Sequence, residues 1–130
     1  MTAFLDTNVL VRHLTGDPPE MAARATRALA DAERLLLADL VLAECVYVLE
    51  SFYEVERVRI AEMMRAALAL QSIAVVDEAM LLRALEVYEI ERLDFAEAYL
   101  IAMAEATGVD AVMSFDRTID RVGTVERIEP

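Results

Sequence analysis

The chain contains no lysine; all 12 of its basic residues are arginine. That absence excludes a P-loop, a Schiff-base lysine and a kinase-type phosphate lysine. Glycine is scarce too, and Gly16, Gly108 and Gly123 stand too far apart to form a glycine-rich phosphate cradle. One histidine, His13, and one cysteine, Cys45, are too few for a structural zinc site, a haem attachment or a Cys-x-x-Cys pair. A disulfide within the chain is likewise excluded, which fits a reducing compartment. No uncharged apolar run approaches the roughly 20 residues of a membrane span. The opening residues, Met1 to Asp6, lack the basic stretch and apolar run of a signal peptide. A cytoplasmic protein with no membrane partner is the expectation.

Acid and hydrocarbon are plentiful. Against the 12 arginines stand 24 Asp and Glu, a formal charge of −12, and 58% of the residues are apolar, above the usual share of about 45–50%. A length of 130 residues, without linker or internal repeat, predicts a single domain over residues 1–130. The apolar surplus exceeds what one small monomer hides, so a dimer face or a partner groove is expected. Chemistry, if present, falls to carboxylates.

Short apolar runs predict strands at Ala3 to Leu5, Leu35 to Leu37, Ile73 to Val76, Ala111 to Phe115 and Thr124 to Ile128. Their continuous hydrophobicity predicts burial on both faces. Between them, helices are predicted over Asn8 to Leu14, from the Asp17-Pro18-Pro19 cap to Ala32, Asp39 to Tyr53, Val55 to Leu70, Asp77 to Glu89, and Asp94 to Thr107 before Gly108. Strands alternating with helices predict an α/β fold with a parallel sheet covered on both sides.

With so many acids, position has to select the interesting ones. Asp6 ends the first strand, where open α/β sheets place their ligands; capping the next helix is the competing role. Glu44 is the one charge in the run Leu40 to Leu49, so a buried or half-buried carboxylate needing a cation or an arginine is expected; an exposed stripe is the alternative. Asp94 and Glu97 share one face of a first helical turn, and a capping box would use the same spacing. Asp116 follows the fourth strand, with a solvated turn as its plainer explanation. Carboxylates gathered from these points repel unless protonated, paired with arginine or holding a cation. Oxygen donors without usable His or Cys favour Mg²⁺ or Mn²⁺, the ions that serve phosphodiester hydrolysis.

These residues resemble a known family. Phe4-Leu5-Asp6-Thr7-Asn8-Val9-Leu10 is similar to the opening Leu-Asp-Thr-Asn motif of PIN-domain ribonucleases. Leu42-Ala43-Glu44 resembles their glutamate-bearing helix, Leu93-Asp94-Phe95-Ala96-Glu97 their third motif, and Met113-Ser114-Phe115-Asp116-Arg117 their fourth. Size and layout are most similar to VapC toxins of toxin–antitoxin pairs. The resemblance implies a three-layer α/β/α sandwich around a parallel sheet of about five strands, order 3-2-1-4-5. It also implies a Mg²⁺- or Mn²⁺-dependent endoribonuclease acting on RNA, commonly a homodimer, silenced by a cognate antitoxin. Carried over by position, Asp6, Glu44, Asp116 and a third acid, Glu97 or Asp94, would bind metal. Thr7, Asn8 and Ser114 are candidates to hold them by hydrogen bonds, with structural turn bonding the alternative for each.

One departure stands out: the family usually carries Asp where this chain has Glu97, one methylene longer, and Mg²⁺ geometry is strict. A silent PIN-like binding module and an RNA-processing nuclease without antitoxin are the alternative functions. Phosphoaspartate folds also place Asp after the first strand, but need a lysine. A chain at −12 repels a polyanion at long range, so RNA contact is expected from locally gathered arginines, with Arg12, Arg24, Arg27, Arg117 and Arg121 the candidates. His13 is expected to be a surface or partly buried side chain.

Overall fold

The computed structural model describes all residues, Met1–Pro130. The chain divides into two compact units, Met1–Val76 and Asp77–Pro130.

In the first unit, strands β1 (Thr2–Phe4), β2 (Arg34–Leu36) and β3 (Ile73–Ala74) form a parallel sheet with β2 in the middle. Register places Ala3 beside Leu35 and Leu35 beside Ile73. Parallel neighbours need long crossovers. Helices α1 (Thr7–Thr15) and α2 (Pro19–Asp31) supply the first, and α3 (Asp39–Ser51) and α4 (Arg57–Leu68) the second. Apolar faces of these helices build the core, in which Leu10, Leu42, Cys45, Leu49, Ile60 and Met64 are fully buried. Gly16 closes α1 at φ 71°, a left-handed conformation that glycine adopts without steric cost, and its N–H bonds the Arg12 carbonyl.

In the second unit, α5 (Glu78–Glu86) runs into a π-helical turn over Val87–Glu91 and is followed by α6 (Phe95–Thr107). Strands β4 (Ala111–Met113) and β5 (Glu126–Ile128) pair in parallel, linked through a 3₁₀ turn at Arg117–Arg121. Leu81, Leu85, Tyr88, Ala98, Ile101 and Ile119 are its buried centre. Gly108 ends α6 in the left-handed region, as the sequence predicts.

The α/β class is as expected, and so are the strand orders 3-2-1 and 4-5 within the units. Burial of the strands on both faces is not. Phe4 is 76% exposed and Met113 67%, on strands of three residues whose side chains alternate between faces, and Phe115, beyond the end of β4, is 72% exposed. The start of α2 also differs. Pro18 holds the cap position without a side-chain bond, and the Asp17 carboxylate instead accepts the Tyr53 hydroxyl at 3.0 Å.

Candidate functional site

Asp6 stands between β1 and α1, at the carboxyl end of its strand, and is exposed. Its Oδ1 accepts the Thr7 N–H at 2.8 Å, so the helix-capping role exists, but it occupies one oxygen. Thr7 is buried, whereas Asn8 is exposed.

Glu44 corrects an expectation: it is exposed, not buried. The sides of α3 facing the core carry Leu42, Cys45, Val46 and Leu49. Leu40, Glu44 and Tyr47 recur at helical spacing on the outer face, where Leu40 is 79% and Tyr47 67% exposed. The apolar run misled because this helix also shows hydrocarbon to solvent. Even so, Asp6 and Glu44 come together, lining one cavity of about 420 Å³ with Thr7, Asn8, Arg12, Asp17 and Tyr53. Both carboxylates act on the neighbouring thiol. Burial first, then the charges of Glu44 and Asp6, push Cys45 up to about 12.

The remaining acids belong to the second unit. Asp94 precedes α6, is exposed and makes no side-chain cap bond, so the capping box is not formed. Glu97 lies in the first turn of α6; its Oε2 is buried and has no hydrogen-bond partner. Such an orphan oxygen is costly unless a cation or donor meets it.

Asp116 follows β4. Its Oδ1 accepts the Thr118 N–H at 2.9 Å and the Thr118 hydroxyl at 2.7 Å. These bonds, with Arg121 and Arg127 nearby, hold its carboxyl below the usual range. Ser114 accepts the Asp116 N–H at 2.9 Å, which orients the loop. Sequence reasoning missed Thr118, although Asp-x-Thr is the spacing of a side-chain turn, and it missed Arg127. That arginine donates to the Ser114 carbonyl and pairs with Asp120, both at 3.0 Å. Arg121, a candidate for phosphate, instead donates to the carbonyls of Glu91 and Arg92 at 3.1 and 3.3 Å. His13 is half-buried beside the Thr26 hydroxyl at 2.7 Å.

In the first unit the Asp6 and Glu44 pair offers oxygen donors only, the chemistry that suits a hard divalent cation. No three His, Cys, Asp or Glu side chains form one group able to hold a metal ion. No helix is long and apolar enough to cross a membrane.

The sequence model of the PIN domain matches residues 3–125. The chain belongs to the PIN-domain family. No curated protein matches it. Among solved structures it is similar to VapC20 of Mycobacterium tuberculosis, a toxin that cleaves the sarcin–ricin loop. Identity there is 22%, over 98% of this chain and 99% of that one, with a TM-score of 0.45. VapBC2 of Rickettsia felis, bound to a DNA fragment from its promoter, is 15% identical over 99% and 98% of the two chains, with a TM-score of 0.39. Within this PIN chain, the four motifs read from sequence all lie inside the matched span.

Proposed function

We propose that this PIN-domain protein is a metal-dependent endoribonuclease, the toxin of a toxin–antitoxin pair, working in the cytoplasm as one domain over residues 1–130. Asp6, Glu44, Asp94, Glu97 and Asp116 are its metal-binding carboxylates, and Mg²⁺ or Mn²⁺ is the ion. One observation carries the reading: in a PIN-family chain, the family's first two acids, Asp6 and Glu44, line the same cavity at the carboxyl end of β1.

When bound, such an ion lowers the pKa of water and offsets charge that develops on phosphate oxygens. The chain's own residues do the positioning. Thr7 fixes one Asp6 oxygen through its N–H and leaves the other free. Thr118 keeps Asp116 ionised through two hydrogen bonds. Arg127 and Ser114 brace the loop that presents Asp116. Asn8 is exposed on the wall of the same cavity, which supports a role beside the carboxylates. The outer face of α3, with Leu40, Tyr47 and the following Phe52 all exposed, supports association with a second copy and with an antitoxin.

The test is cleavage of total RNA in Mn²⁺ with mapping of the new ends, comparing wild type with Asp6→Asn. Cuts made by the wild type alone support the nuclease. Identical patterns reject it and leave a silent binding module. A small reading frame overlapping upstream separates the toxin from an RNA-processing enzyme.

A further inference from the structure

A second cavity of the first unit, about 530 Å³, lies between α1 and α2 and is lined by Arg12, Arg24 and Arg27. Asn8 and Arg12 line this groove and the Asp6–Glu44 cavity alike, so the two are neighbours. We propose that the groove is a phosphate track for single-stranded RNA, in which Arg12, Arg24 and Arg27 hold the substrate backbone beside the carboxylates. The proposal rests on the ribonuclease reading and extends it to residues outside the family's acidic motifs.

Charge distribution carries the argument. Acids outnumber arginines two to one in this chain, so an arginine has carboxylates to choose from. Arg59, Arg83 and Arg127 each take one or more, whereas Arg34, Arg92 and Arg117 pair with none. The three groove arginines form no ion pair or side-chain hydrogen bond, and Asp31 is the one acid on the groove wall. Arg24 and Arg27 project from one face of α2, three residues apart, and both are exposed. Arg12 reaches the same space from α1 and is half-buried. Guanidinium groups left without carboxylates and lining one groove suit bidentate phosphate contact. In a protein at −12, long-range attraction to RNA is absent. Binding therefore depends on such local contacts.

The experiment measures anisotropy of a short fluorescein-labelled single-stranded RNA of mixed sequence across a KCl series. Asp6→Asn is the background, which prevents cleavage. Each lost arginine–phosphate contact is expected to flatten the plot of log affinity against log salt by about 0.7, hence by about 2 in the triple Arg12→Gln, Arg24→Gln, Arg27→Gln variant. The double Arg24→Gln, Arg27→Gln variant, confined to exposed positions, is expected to show about two-thirds of that change and decides the matter if the triple misfolds. Arg24→Lys with Arg27→Lys is expected to restore the slope, because charge sets it. Arg59→Gln, on α4, is expected to leave it unchanged. In the otherwise wild-type enzyme, the double Gln variant is expected to raise KM with kcat retained. An unchanged slope in the double variant, an equal change with Arg59→Gln, or no salt-dependent RNA binding overturns the track. Failure of the nuclease reading looks different: RNA then binds the groove but is not cut by the wild type.

Discussion

Charges around the first unit's cavities and charges in the second unit's ion-pair clusters are treated in opposite ways. In the second unit, Glu105, Asp116 and Asp120 are matched. Glu105 accepts two bonds from the Arg83 guanidinium, at 2.8 and 3.0 Å, and a further one from Thr124. Asp120 takes Arg127 and Asp116 takes Thr118. Around the cavities of the first unit, Glu44 has no partner, Asp6 has only a backbone N–H, and three arginines stand unpaired beside them. A matched charge does structural work. An unmatched one, held on a concave wall, is available to a ligand, and in the second unit the buried Glu97 oxygen is also unmatched.

The same substitution in both places gives the largest test of that contrast. Glu44→Gln is expected to lower RNA cleavage by about a hundredfold or more, since even outer partners of a metal ligand cost about 10–100-fold. Its melting temperature without metal is expected to stay near the wild-type value, while the rise on adding Mn²⁺ disappears. Glu105→Gln is expected to do the reverse. Cleavage persists, and unfolding in urea shows a loss of about 1–2 kcal/mol from the charge-assisted pair. Hydrogen bonding to Arg83 lowers the Glu105 pKa from 4.5. Its stabilisation is therefore complete above that value and is lost as pH falls through the folded-state pKa. The variant should unfold with a flatter acid limb. Cleavage lost in Glu105→Gln but kept in Glu44→Gln would invert the contrast.

Thr118→Val is expected to act more gently. It removes the hydroxyl that holds Asp116 ionised but keeps the backbone bond. The Asp116 pKa rises towards its ordinary value, and the acid limb of the cleavage profile moves to higher pH. An unmoved limb would mean that Asp116 does not set it.

Much of this was legible in the sequence, for identifiable reasons. Helix α6 was readable from Asp94 to Gly108 because periodicity and the left-handed stop agree. Asp6 was readable because a polar residue closes an apolar strand. Glu44 was found by its isolation in an apolar run, yet its burial was misjudged: that run covers an outward face carrying Leu40 and Tyr47. Asp17 was misread as a cap because its partner, Tyr53, lies 36 residues away. Arg12, Arg24 and Arg27 were readable as candidates for RNA contact, but so were Arg117 and Arg121, and which of the five share a groove depends on how α2 packs on α1. Local chemistry is written in neighbours, whereas pairing across helices is decided by packing.

The smallest effect concerns Cys45, fully buried next to the two unmatched acids. Burial and the negative charges of Glu44 and Asp6 push its pKa up to about 12, so at neutral pH it is a thiol with almost no thiolate to react. Folded protein is expected to resist alkylation by iodoacetamide over hours and to react at once in guanidinium. Glu44→Gln removes the stronger of the two charges but not the burial, which is the larger cause. The variant is therefore expected to remain protected, with at most a slight gain at alkaline pH. Rapid labelling of the folded wild type would show that α3 opens readily, and with it the wall that carries Glu44.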